Sequence, residues 1–236
     1  MATFVLVTGA WHGSWCWKRV RAALTRQGHE VFTPTLSGLC ERSHLLSREI
    51  DLQTHILDIV NLIRWEELTD VVLVGHSYGG CVISGVADRI GEKIASLVYL
   101  DAFVLENGQS VYDTLPPEQR QAQLDALAGG GDDWRVPPIP AAAFNVNPAD
   151  RAWVDAQCTP QPLACFQQKL SLTHDRPPVA AIHYVLATDW QGTPFTQFHQ
   201  KAKAGGWSTR EIACGHDVML DRPAELTAAL SEIAAG

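Results

Sequence analysis

Val71-Val72-Leu73-Val74-Gly75-His76-Ser77-Tyr78-Gly79-Gly80 is the stretch that decides how the rest of the chain is read. Four aliphatic residues in a row suit a short strand buried on both faces. Gly75-x-Ser77-x-Gly79 follows at once, and the small-residue run Cys81-Val82-Ile83-Ser84-Gly85-Val86-Ala87 after it reads as a helix. Strand, sharp turn and helix together make the context of a nucleophile elbow, which a bare G-x-S-x-G does not supply. A serine at so tight a turn sits in strained backbone geometry, so its neighbours two residues away must lack a Cβ. The turn lifts Ser77 Oγ clear of the sheet and aims the N–H of Tyr78 at the same space. The bland alternative is a glycine-rich turn without chemical consequence.

Upstream, Thr3–Val7 reads as the first strand and runs into Thr8-Gly9-Ala10-Trp11-His12-Gly13. Glycines 9 and 13 let this loop bend back over the carboxyl end of the strand. In this kind of fold that loop and the residue after the nucleophile jointly supply an oxyanion hole. The candidates are the backbone amides of Ala10 and Tyr78. His12 reads first as a brace for the loop. Trp15–Gln27 reads as a helix stopped by Gly28, His29–Thr33 as a strand ended by Pro34, and Asp51–Trp65 as a helix with one apolar face.

Downstream, Ile94–Leu100 is a further buried strand landing on Asp101-Ala102-Phe103. Between about residues 104 and 174 the strand–helix rhythm is lost. Pro116-Pro117, Gly129-Gly130-Gly131 and Pro137-Pro138-Ile139-Pro140 interrupt it, with short helical pieces at Glu118–Leu127 and Ala149–Gln157. A stretch this long inside one domain is usually functional, often a lid. Phe144, Trp153, Leu163, Phe166 and Leu170 need burial, which argues against a disordered linker. Alternation resumes with a strand at Val179–Ala187, a helix at Pro194–Ala204, a last strand at Trp207–Ala213 and a helix at Pro223–Ala234. The fold class expected is α/β, a mostly parallel, doubly wound sheet with a helical insertion. The core would comprise residues 1–103 and 175–236, and the cap residues 104–174.

A serine hydroxyl is a poor nucleophile until a base takes its proton, and the base needs an orienting acid. For this topology the chain order is nucleophile, acid, histidine. His216 in Cys214-Gly215-His216-Asp217 lies just past the last strand and is the base candidate. His76 is read as supporting. Asp189, in Ala187-Thr188-Asp189-Trp190, follows the penultimate strand and is the expected acid; Asp101 ends another strand at the same sheet edge and is its rival. Trp11, His12, Phe103, Phe144, Trp153 and Phe166 are the expected lining of a substrate pocket.

Composition sets outer bounds. The 236 residues are 46% hydrophobic and 19% charged, enough for one large core. A net charge of −8 argues against nucleic acid or an anionic membrane surface as partner. The histidines show no metal-ligand spacing, no apolar stretch approaches a membrane span, and the N-terminal run reads as a strand and not a signal peptide. Six cysteines without a C-x-x-C point to reduced thiols and a cytoplasmic setting. No cofactor or metal is expected, and a homodimer is the one macromolecular assembly allowed for.

Phe4–Gly13, Val72–Gly80, Ile94–Phe103 and Gly215-His216-Asp217 together resemble the α/β-hydrolase superfamily. Within it they are similar to the branch of plant methylesterases, hydroxynitrile lyases and bacterial esterase relatives. That branch usually opens its oxyanion loop with His-Gly, where this chain has Thr8-Gly9. Its lyase members carry threonine at the position of Gly9 and lysine directly after the catalytic histidine, where Asp217 stands. The resemblance therefore implies hydrolysis of a carboxylic ester, or a related carbamate or lactone, through an acyl-enzyme on Ser77, beneath a cap. A catalytically silent ligand-binding protein on the same fold is the alternative, with a hydroxynitrile lyase behind it.

Overall fold

The apolar run around Val72 forms the third of six parallel strands in a computed structural model that describes residues 1–130, 132–190 and 193–236. Gly131 of the glycine run, and Gln191 and Gly192 of the loop after Asp189, lie outside the described residues. The strands of the main sheet are β1 (Thr3–Val7), β2 (Glu30–Phe32), β3 (Val71–His76), β4 (Ile94–Leu100), β7 (Ala181–Ala187) and β8 (Ser208–Ile212). Two further short strands, β5 (Arg135–Val136) and β6 (Gln161–Pro162), pair antiparallel apart from it. The main sheet runs in the order β2-β1-β3-β4-β7-β8, every pairing parallel.

Parallel strands need crossovers, and helices supply them. Helix α1 (Lys18–Arg26) links β1 to β2, α2 (Leu52–Trp65) precedes β3, and α3 (Gly79–Ile90) links β3 to β4. The chain steps one way along the sheet from β1 to β2 and the other way from β3 to β4. With right-handed crossovers, α1 and α3 therefore cover opposite faces. The strands between them have no solvent face: all six residues of β3 are buried. Burying each such aliphatic side chain contributes about 1.5–3 kcal/mol.

The helices start and pack for local reasons. Asp51 caps α2, its carboxylate accepting from the Thr54 N–H while the Thr54 hydroxyl lies back against the Asp51 N–H. Small residues in α3 let α2 approach closely: a Cβ on Gly85 would sit 2.3 Å from Ile56 Cδ1. Element ends shift by a few residues from the sequence reading. The expected helix from Trp15 begins as a 3₁₀ turn at Ser14–Trp17 and becomes α1 only at Lys18. The expected strand at His29–Thr33 contracts to β2.

Between β4 and β7 the chain leaves the sheet, as the broken rhythm suggested. It forms α4 (Pro117–Gly129), β5, α5 (Arg151–Gln157), β6 and α6 (Ala164–Gln167). It rejoins the sheet at β7, crosses to β8 through α7 (Thr196–Ala204), and ends in the short α8 (Val218–Asp221) and in α9 (Pro223–Ala235). The order reverses between β1 and β3, which is where open α/β sheets bind ligands, outside the carboxyl ends of the strands. The Ser77 turn and the Thr8–Gly13 loop both lie at those ends.

Candidate active site

Ser77 adopts φ +54°, the left-handed region that a non-glycine residue enters only under constraint. The constraint is visible on both sides. A Cβ on Gly75 would lie 2.6 Å from Gly79 O, and one on Gly79 would lie 2.7 Å from Thr8 O. Ser77 N–H donates to Leu100 O, and Ser77 O accepts from Phe103 N–H, so the elbow is stitched to the end of β4.

His216 follows β8, where its N–H donates to Phe144 O at 2.9 Å. Its ring is boxed by Phe195, Trp190, Phe144 and His76, with centroids 4.4–5.1 Å away. The Nδ1–H donates to Asp101 Oδ2 at 2.6 Å. Asp101 itself sits at φ +42°, which turns its carboxylate over the end of β7, where Ala187 N–H donates to Oδ1 at 3.1 Å.

Asp101, the rival, is therefore the carboxylate that meets the imidazole, and the expected acid, Asp189, is not. Asp189 is exposed, and its backbone N–H donates to Cys214 O at 3.0 Å. Its side chain is met only by the adjacent Thr188 hydroxyl, among the described residues. The physical reason lies in the strand ends. Chain order alone favoured the loop next to β8, but β7 ends at Ala187, two residues before Asp189, and the chain there runs out into solvent.

Burial depresses His216 to about 4, so the imidazole is neutral near pH 7 and able to accept a proton. Burial pushes the Asp101 carboxyl up, to about 7, against the stabilising Ala187 N–H. Behind this pair lies an ionic one. His12 Nε2–H faces Asp217 Oδ2 at 3.3 Å, and His12 Nδ1–H donates to Ala10 O at 2.7 Å. Burial opposes the charge on His12, but Asp217 overcomes it and holds His12 well above its ordinary value. Burial alone would raise Asp217, yet His12, with smaller help from His76, holds it below the usual carboxylate range. His76 stays neutral, lowered to about 3 by burial and then by His216; its Nε2–H donates to His216 O at 3.0 Å. The supporting role expected for His76 and the loop-bracing role expected for His12 correspond to these contacts.

Ala10, Tyr78, Ser77 and His216 all line one cavity of about 390 Å³. Neither the Ala10 nor the Tyr78 N–H has an acceptor among the described residues. Trp11, Phe103, Phe144 and Phe166, all expected at the pocket, line it, as do Tyr112, Leu127 and the wall Val136–Pro140, which sequence reasoning did not single out. The signal was present in the proline-rich run, which reads as a loop but presents an apolar face. Two expected lining residues do not reach the cavity. His12 is buried behind it against Asp217, and Trp153, 37% exposed, packs edge-on against Trp15 on the outside. All six cysteines are free, and no group of His, Cys, Asp and Glu among the described residues could hold a metal ion.

Residues 4–230 match the alpha/beta hydrolase family. The chain belongs to the alpha/beta hydrolase family. Over 99% of its length this alpha/beta hydrolase is 46% identical to a carbendazim hydrolyzing esterase of Nocardioides sp., all of which is covered. It is also 29% identical to a putative chloroplastic methylesterase of Arabidopsis thaliana over 73% of the chain, spanning 54% of that protein. An extracellular alpha/beta-hydrolase from a Paenibacillus species superposes with a TM-score of 0.84 at 23% identity, covering 99% of each chain, a likeness of fold. By class, this alpha/beta hydrolase is a carboxylic ester hydrolase. Among the described residues no helix is long and apolar enough to cross a membrane.

Proposed function

We propose that this hydrolase cleaves small, largely apolar esters or carbamates through an acyl-enzyme on Ser77, with His216 as base and Asp101 as the acid that orients it. One observation carries the reading: strained Ser77 and the Asp101-bound imidazole of His216 line the same apolar cavity. In the proposed sequence Ser77 Oγ attacks the carbonyl carbon as its proton passes to His216 Nε2. The carbonyl oxygen becomes an oxyanion facing the Ala10 and Tyr78 amides, whose unpaired N–H groups suit that charge. Collapse expels the alkoxide, which takes the proton from His216. Water, deprotonated by the same imidazole, then releases the acid and restores Ser77.

The segment 104–174 acts as the cap, since its Phe144, Phe166 and Val136–Pro140 form much of the cavity wall. The volume suits one compact, drug-sized ligand. Resemblance to an esterase that hydrolyses carbendazim makes methyl carbamates of flat heteroaromatic amines the first substrates to try. Cyanohydrin cleavage is disfavoured sterically: a Cβ at Gly9 would meet His76 Nδ1 at 2.8 Å and Ser77 Cβ at 3.0 Å, so the threonine of the lyases does not fit. The test is a fluorophosphonate probe followed by a panel of aryl esters, methyl esters and carbendazim. The probe should add mass to the Ser77 peptide and abolish turnover, and Ser77→Ala should lose both labelling and activity. A wild-type protein that binds these compounds but is neither labelled nor active would be the silent binder instead.

A further inference from the structure

We propose that Gln161, on β6, is a positioning residue for the oxyanion loop, making the geometry of the Ala10 amide depend on how the segment 104–174 is seated. The inference rests on the reading of Ala10 and Tyr78 as oxyanion donors.

Trp11, directly after Ala10, lies at φ +65°, a conformation a bulky residue holds only where its surroundings over-determine it. Those surroundings come from the inserted segment. Trp11 N–H donates to Gln161 Oε1 at 3.0 Å, Trp11 O accepts from Thr159 N–H at 3.1 Å, and the indole N–H donates to Val136 O at 3.1 Å. The Ala10–Trp11 peptide is thus held at both polar atoms, its carbonyl by His12 and its N–H by Gln161. The Ala10 N–H belongs to the preceding peptide, one Cα away, so a shift of the Ala10–Trp11 unit that moves the Ala10 Cα carries that N–H with it.

Gln161 is fully buried, and its Nε2 has only the Cys165 thiol beside it among the described residues. Burying a half-satisfied amide is costly where an apolar side chain could pack. The carbonyl half is the half in use, and its only side-chain task among the described residues is the Trp11 N–H. The antiparallel pair β5–β6 that carries Val136 and Gln161 therefore grips the loop at the residue next to the proposed donor.

The experiment compares wild type, Gln161→Met and Gln161→Glu, using p-nitrophenyl acetate as substrate and an aryl trifluoromethyl ketone as inhibitor. The ketone forms a hemiketal with the serine and reports the oxyanion site directly. Methionine fills the volume without an acceptor and should lower kcat on the order of tenfold, less than deletion of an oxyanion donor. KM should stay within about twofold, and affinity for the ketone should fall in parallel with kcat/KM. Glutamate keeps an acceptor oxygen and should recover kcat and ketone affinity to within about threefold of wild type. A folded Gln161→Met with wild-type kcat and ketone affinity overturns the proposal. So does a folded Gln161→Glu that loses as much as a donor deletion, which decides the matter if the methionine variant does not fold. Failure of the underlying reading shows separately, as a wild-type protein that neither the phosphonate nor the ketone modifies.

Discussion

Asp101 and Asp189 each follow a strand, and what separates them is their surroundings. Asp101 lies within Leu100-Asp101-Ala102-Phe103, a carboxylate in an apolar run, and is wholly buried. A buried carboxylate must be hydrogen-bonded, and here the donors are His216 and Ala187. That flanking pattern was legible in the sequence and was outweighed by chain order. Asp189 follows polar Thr188 and meets solvent. Replacing Asp101 with asparagine preserves shape but favours the wrong imidazole tautomer, which in the protease template costs on the order of 10⁴ in kcat. Asp101→Asn should show a loss of that order with an unchanged melting temperature within a few degrees. Asp189→Asn should stay within about threefold of wild type in the same assay. Comparable losses in both variants would remove the assignment.

Among the elements, those with an internal period were readable and those held by long-range contacts were not. Helix α2 announced itself by the apolar face from Leu52 to Ile63, and β3 by its uninterrupted aliphatics. The pair β5–β6 has only two residues in each strand, brought together from Arg135 and Pro162, so no local pattern could reveal it. The same holds for the wall at Val136–Pro140, whose prolines suppress any helix or ladder signal. Inside against outside now separates aromatics that looked alike in sequence. Phe166 packs on Trp11 and Tyr78 at the cavity, whereas Trp153 packs on Trp15 away from it. Phe166→Ala should reorder kcat/KM among esters of different acyl size while Ser77 stays open to phosphonate labelling. Trp153→Ala should scale all substrates alike. If Trp153→Ala reorders the panel and Phe166→Ala does not, the cavity described here is not the substrate site.

For the whole molecule, the buried histidines set the response to acid. His76 and His216 have folded pKa values lowered to about 3 and about 4. Both are neutral when folded and take protons near 6.5 when unfolded, so their contribution is full above pH 6.5 and is lost as pH falls towards those folded values. Each group can cost up to about 1.4 kcal/mol per pH unit. His12, raised when folded, adds stability as pH falls from its folded value to 6.5 and gains no more below that. Asp101, raised to about 7, works the other way between there and 3.8 and offsets part of the loss. His55, His183 and His199, also lowered by burial, act in the same sense as His76 and His216, so Asp101 is outweighed and a net decline remains. The melting temperature should therefore drop between pH 6.5 and 4.5, and a His76→Asn variant, which cannot take the proton, should show a shallower drop. An equal slope in both proteins would assign the acid sensitivity elsewhere.

The distance along the chain between Asp101 and His216, 115 positions, has a consequence for biosynthesis. The proposed nucleophile, acid and both amide donors are all encoded before residue 102, in or beside β1, β3 and β4. The proposed base, His216, comes only after β7 and β8, whose places beside β4 stay empty until they are made. A chain stopped before β7 thus carries the serine and a buried-type carboxylate with nothing to take a proton from the one or donate a hydrogen bond to the other. On the proposed mechanism, reactivity is withheld until the loop that carries His216 is made, and a chain stopped before it carries the elbow without the chemistry.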